Sequence, residues 1–159
     1  MTEINQSSTH HCFICGTDNS HGLKIRFFSD GNGYVYANTV FTQDYQGYPG
    51  IVHGGVISAV LDEAAGRTSV KEQRPEFMVV TGKLEVKFIK PVRVGDPVLI
   101  ESRLISHRGR VFIANSSLKN NAGELLAEAV VTLIEPGKSL VDSIAPGEDE
   151  WVDWDKNGG

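Results

Sequence analysis

The sequence predicts an α+β fold in which a curved antiparallel sheet wraps round one long helix. Three observations carry this. A single stretch, residues 57–65, shows apolar residues at helical spacing. About five long stretches alternate apolar and polar residues with period two. The last three of these are joined by short polar turns, which forces an antiparallel meander.

The elements follow in chain order. Residues 1–22 form a polar leader that holds both cysteines, and residues 1–11 are expected to be disordered. Residues 23–29, LKIRFFS, read as a strand. Gly31-Asn32-Gly33 supplies turn chemistry, because both residue types tolerate positive φ. Residues 34–42 alternate, with Val35, Ala37, Thr39 and Phe41 on one face, and complete a hairpin. A Gly-rich stretch, residues 46–55, leads into the helix. Ile57, Val60, Leu61, Ala64 and Ala65 make one apolar stripe, and Arg67, Lys71 and Glu72 mark its fraying before Pro75. Residues 79–90 then switch to period two, with Leu84, Val86 and Phe88 opposed to Lys83, Glu85 and Lys87. Pro91 and Gly95-Asp96-Pro97 break the run. Residues 98–106, 111–118 and 125–134 are the meander strands. A domain over residues 23–136 thus lies between the leader and a tail, residues 137–159, rich in Pro, Gly and acids and read as flexible or folded onto a partner.

Composition excludes several classes. With 40% apolar and 22% charged residues the chain can bury a core. No window approaches the roughly 18 consecutive apolar residues of a membrane span. The polar first residues carry no secretory signal, so a cytoplasmic location is expected. Two cysteines cannot make a disulfide scaffold. Of the net charge of −5, residues 137–159 carry −4. A nearly neutral body argues against nucleic-acid binding, which needs a basic footprint.

Chemistry concentrates in Gln46-Gly47-Tyr48-Pro49-Gly50-Ile51-Val52-His53-Gly54-Gly55. Gly54 and Gly55 stand where the helix begins. Free N–H groups and the positive end of the helix dipole lie there, and no Cβ blocks an approaching oxygen. That suits a carbonyl that becomes an oxyanion. Asp62 follows His53 by nine residues and lies off the apolar stripe with Ser58, Ala59 and Gly66. This small-residue rim suits a subunit interface. The same features also fit a tight turn and a solvated carboxylate.

The segment QGYPGIVHGGVISAVLDEAAGR resembles the signature of hot-dog fold thioesterases of the PaaI-like branch, in which His-Gly-Gly starts the central helix and an acid follows nine residues after the His. Thr81 to Pro91, TGKLEVKFIKP, resembles the next strand, where Ser or Thr precedes Pro by ten residues. Cys12-Phe13-Ile14-Cys15-Gly16, with Asn19 and Gly22-Leu23, is similar to the leader of one bacterial subset. The resemblance implies a hot-dog fold of about five to six strands. It also implies dimers, possibly paired into tetramers, with the site between subunits, and hydrolysis of acyl-CoA thioesters.

Carried over, Asp62 is the general base or nucleophile, and Gly55 N–H, with Gly54, polarises the thioester carbonyl. His53 organises the turn. Thr81 orients the water from across the dimer. Gln46 helps place the substrate, although the family's Asn or Gln stands six residues before the His, at Gly47 here. Glu63, about 100° round the helix from Asp62, is the second choice of carboxylate. No metal and no cofactor are implied, CoA being part of the substrate. The competing reading is a non-catalytic hot-dog module that binds acyl-CoA; the acid at position 62 speaks for the enzyme. No pattern for a hot-dog dehydratase is present.

Other residues have plainer readings beside sharper ones. Arg108, Gly109 and Arg110, with His107, form either an ordinary turn or a seat for CoA phosphates; Lys90 and Arg93 are weaker choices. Cys12 and Cys15 with His10, His11 and His21 offer zinc ligands or a redox pair, against simple packing with Phe13 as a plug. Tyr45, Tyr48 and Phe77 suit either an acyl pocket or core packing. Trp151 and Trp154 suit a tail clamped on the body or on a neighbouring subunit.

Overall fold

The computed structural model describes residues 3–69, 78–144 and 151–153. Nine strands and two helices follow in the order β1 (Ile4–Asn5), β2 (Ser8–Thr9), β3 (Phe28–Ser29), β4 (Tyr34–Val40), α1 (Gly54–Arg67), β5 (Val80–Phe88), β6 (Pro97–Arg108), β7 (Val111–Asn120), β8 (Leu125–Ile134), α2 (Lys138–Ile144) and β9 (Trp151–Val152). Seven strands form one antiparallel sheet in the order β1-β3-β4-β6-β7-β8-β5, and β2 pairs with β9. The meander β6-β7-β8 is as expected. The seventh strand is β1, within the leader taken as disordered: Ile4 pairs with Ser29 and Asn5 with Phe28.

The strand expected over residues 23–29 shrinks to two residues. Lys24 takes a left-handed φ of 54°, which interrupts extended backbone. Ile25 and Phe27 are nonetheless buried, and Leu23 and Ile25 donate to the carbonyls of Phe13 and Ile14 in the leader. The leader is therefore packed. Ile14 and Cys15 fill the core there, while Phe13, the expected plug, is 45% exposed.

α1 lies across the concave face and buries Ile57, Val60, Leu61, Ala64 and Ala65, the five residues of the stripe. The sheet makes room with small inward residues, Ala37, Ala114, Ser116 and Ala129. Ser116 Oγ donates to the Leu61 carbonyl at 2.9 Å, and Ser102 Oγ lies 2.9 Å from Ser116 Oγ. Ser116 spends its proton on the helix, and the single proton of Ser102 is shared between the Ser116 oxygen and the Asn115 carbonyl at 3.2 Å. This buried relay fixes the helix at the residue before Asp62. α1 ends at Arg67, capped by Thr68; Lys71, Glu72, Pro75, Phe77 and Trp154 lie outside the described residues.

The described part of the tail is folded. α2 follows β8, and β9 joins β2 with Ser8 opposite Val152 and Thr9 opposite Trp151. Val152 is fully buried. Residues 151–152 thus pair with the leader of their own chain. No helix among the described residues is long and apolar enough to cross a membrane.

Candidate active site

α1 begins at Gly54 because His53, in extended conformation (φ −62°, ψ 133°), acts as its N-cap. His53 Nδ1 accepts the Gly55 N–H at 2.9 Å. An accepting Nδ1 fixes the neutral ring with its proton on Nε2, so His53 presents an outward Nε2–H. This bears on the expected role of Gly55. The Gly55 N–H is already bonded to its own cap and meets a substrate carbonyl only after the imidazole turns. The Gly54 N–H has no hydrogen-bond partner among the described residues. Gln46 does not face the helix start as a free amide: its Oε1 accepts from Gly50 N at 3.1 Å and holds the loop.

A pocket of about 810 Å³ opens at this helix end, lined by His53, Gly54, Tyr48, Ile57, Phe88 and Ile89. Tyr48 is 84% and Phe88 54% exposed, so the lining is apolar and uncovered. Tyr45 is not part of it; its hydroxyl donates to the Gly22 carbonyl at 2.6 Å. Lys90 lines the pocket but is ion-paired with Glu124.

Asp62 lies further along the helix. Thr81 Oγ1 donates to its Oδ1 at 2.7 Å. Both residues belong to one chain, so Thr81 reaches this carboxylate within its own subunit. The reason is a bulge. Counting from Leu84 and Val86, alternation puts Thr81 outward with Lys83. The ladder instead slips at Gly82: Thr81 pairs with Leu133 and Lys83 with Thr132. The extra residue resets the phase and turns Thr81 toward the helix. Burial holds the Asp62 carboxyl above its usual range, opposed by the Thr81 hydrogen bond and reinforced by neighbouring Glu63.

Glu63 does not join Asp62. Its Oε1 accepts from Arg67 Nε at 3.0 Å, and its Oε2 lies 4.0 Å from Cys12 Sγ, on the leader side of the helix. The i,i+4 spacing of Glu63 and Arg67 was the sequence signal for that orientation.

Arg108, Gly109 and Arg110 form the β6–β7 turn, with Gly109 at φ 56°. They do not line the pocket. Arg110 Nε and Nη2 donate to the Glu135 carbonyl, and His107 stacks on Phe112 at 3.9 Å. Through β7 and β8 the turn shares its sheet end with Val80 and Thr81, since Val111 and Val80 both pair with Ile134.

The thioesterase superfamily family model matches residues 49–127, from the loop before α1 into β8. A protein of Saccharolobus solfataricus named as a candidate esterase is 30% identical over 112 residues, covering 70% of this chain and 73% of that one. The acyl-coenzyme A thioesterase THEM4 of Rattus norvegicus is 30% identical over 98 residues, which cover 60% of this chain and 41% of the rat protein. The chain thus spans about two fifths of the rat relative. Among solved structures, a thioesterase superfamily protein superposes with a TM-score of 0.72 at 22% identity, covering 79% of this chain and 61% of that one. A Streptococcus mutans protein solved bound to acetyl CoA gives 0.65 at 24% identity, covering 72% and 90%. The chain belongs to the thioesterase superfamily and has its hot-dog fold.

Proposed function

We propose that this protein hydrolyses acyl-CoA thioesters to a carboxylic acid and free CoA, with Asp62 as the catalytic carboxylate. The observation that carries the reading is the half-buried Asp62 held by Thr81 at 2.7 Å on the helix whose N-terminus opens on the apolar pocket. A thioester already has a good leaving group. What it needs is an activated water or nucleophile and stabilisation of the oxyanion. A carboxyl whose pKa is raised by burial is a stronger base once ionised. Names among the similar proteins, an acyl-coenzyme A thioesterase and a structure with acetyl CoA, support the substrate class.

On this reading the labour is divided between subunits. At about 1.5 Å per residue, Asp62 lies about 12 Å along the helix axis from Gly54. One carbonyl cannot touch both. The carbonyl is therefore polarised by the Gly54 N–H and the His53 Nε2–H of one subunit, with Gly55 joining when His53 turns. The carboxylate and Thr81 come from the other. β5 is the open edge of the sheet, and exposed Phe88, Ile89 and Tyr48 beside it support a homodimer here, with a dimer of dimers as the larger assembly. Arg108 and Arg110 at the Thr81 end of the sheet are the basic groups offered to CoA phosphates.

The test is release of free thiol from a panel of acyl-CoAds, measured for the wild-type chain and for Asp62→Asn. Turnover of at least one acyl-CoA, abolished in the variant while the dimer persists on sizing, supports the reading. Near-normal turnover in Asp62→Asn removes Asp62 from the mechanism. Binding without release from any thioester leaves the acyl-CoA-binding module in its place.

A further inference from the structure

We propose that Cys12, Cys15 and Glu63 form a zinc site that fastens the N-terminal leader to the central helix. The Sγ atoms of Cys12 and Cys15 and a carboxylate oxygen of Glu63 all lie within 4.8 Å of one another. Zinc bonds of about 2.3 Å to sulfur and about 2.1 Å to oxygen put tetrahedral ligand atoms about 3.5–3.8 Å apart. The Cys12 Sγ to Glu63 Oε2 distance is 4.0 Å, and with all three atoms within 4.8 Å the set closes round an ion by a contraction of about 1 Å at most.

Each ligand is held in place independently. The cysteines sit on a tight turn in which Gly16 N donates to the Cys12 carbonyl at 2.9 Å and Cys15 N donates to Cys12 Sγ at 3.4 Å. An amide aimed at a sulfur favours a thiolate ligand. A Cβ on Gly16 would stand 2.5 Å from the Cys12 carbonyl oxygen, so the turn needs glycine there. On the helix, Arg67 takes Oε1 of Glu63 and leaves Oε2 facing the sulfurs. Arg67 is itself fixed by Gln6 Oε1, by the Ser7 carbonyl and by the Phe27 ring beneath it. That is the outer-shell support a metal-binding carboxylate requires.

Charge and donor type point the same way. Two thiolates and a carboxylate, set against the Arg67 guanidinium, leave the charge that a divalent cation cancels. Sulfur donors select zinc over magnesium or calcium. Binding passes the thiol protons to solvent, and water completes the fourth position. His10, a ligand candidate from sequence, is paired with Asp18 and is not in the cluster. Glu63 faces the leader while Asp62 faces Thr81, so the ion would tie the leader to α1 without entering the hydrolytic site.

The test uses the full chain, purified reduced and without chelator. About one zinc per chain by elemental analysis is expected. Cobalt(II) added to metal-free reduced protein should give sulfur-to-cobalt charge-transfer absorption and the visible bands of a tetrahedral site. Cys12→Ser should weaken the charge-transfer band and abolish the rise in Tm on zinc addition, its fold being checked by circular dichroism. Glu63→Gln should keep the sulfur band and lose about 10–100-fold in affinity. Zinc well below one per chain, together with no charge-transfer band in wild-type protein, overturns the proposal, whether the thiols are then free or joined as a disulfide.

Discussion

At the scale of single residues, the surroundings of Asp62 pull its charge in opposite directions. Burial favours the neutral acid, and the hydroxyl of Thr81 favours the carboxylate; burial prevails and the pKa is raised. The sign for stability follows from linkage. A carboxyl with a raised folded pKa contributes stability below its unfolded value of about 3.9, and that contribution is lost as pH rises through the folded value. At neutral pH the ionised side chain is a net cost to stability. Asp62→Asn should therefore have a higher Tm than the wild type at neutral pH, with the gap closing at about pH 3.9; thermal melts at both pH values check this. Thr81→Val removes the group that favours the charge. It should lower kcat about 10–100-fold and move the acidic limb of the pH–rate profile upward, because the carboxyl then titrates higher still. A fall in kcat with no shift of that limb would show Thr81 acting elsewhere.

At the scale of elements, α1 was legible because five apolar residues recur at helical spacing and all five are buried. The inward turn of Thr81 was not, because alternation over residues 83–88 gives it the opposite face. Sequence alternation cannot reveal an extra residue in a ladder; only the pairing with Leu133 shows it. The spacing from Thr81 to Pro91 singled out Thr81 without showing why it faces the helix. Nor could the leader cysteines be joined to Glu63, since that contact depends on how residues 12–16 fold against α1. The bulge is open to test. A Cβ on Gly82 would meet Ile134 Cδ1 at 2.6 Å. Gly82→Val, branched and unable to slip past, should displace Thr81 and cost about 10–100-fold in kcat. Adding Ile134→Ala should recover part of that loss. Unchanged kcat in Gly82→Val would show that the site does not depend on the bulge.

At the scale of the whole molecule, the two ends of the described chain meet. β9 pairs with β2 in the leader, and Val152 is buried opposite Ser8. Two strands of two residues are too short to hold by their hydrogen bonds alone. Burial of the Val152 side chain supplies what the hydrogen bonds lack, and composition could not reveal it because one valine among acids carries no periodic signal. If so, the closure fails from either end. Val152→Ala should cost about 2 kcal/mol, lowering Tm by roughly 4–8 °C. Amide exchange at Ser8 and Thr9 should rise more than exchange in β7 and β8, since this pair forms a sheet separate from the meander. Exchange that rises evenly across the chain would mean instead that Val152 supports the global core and that leader and tail do not open as a local unit.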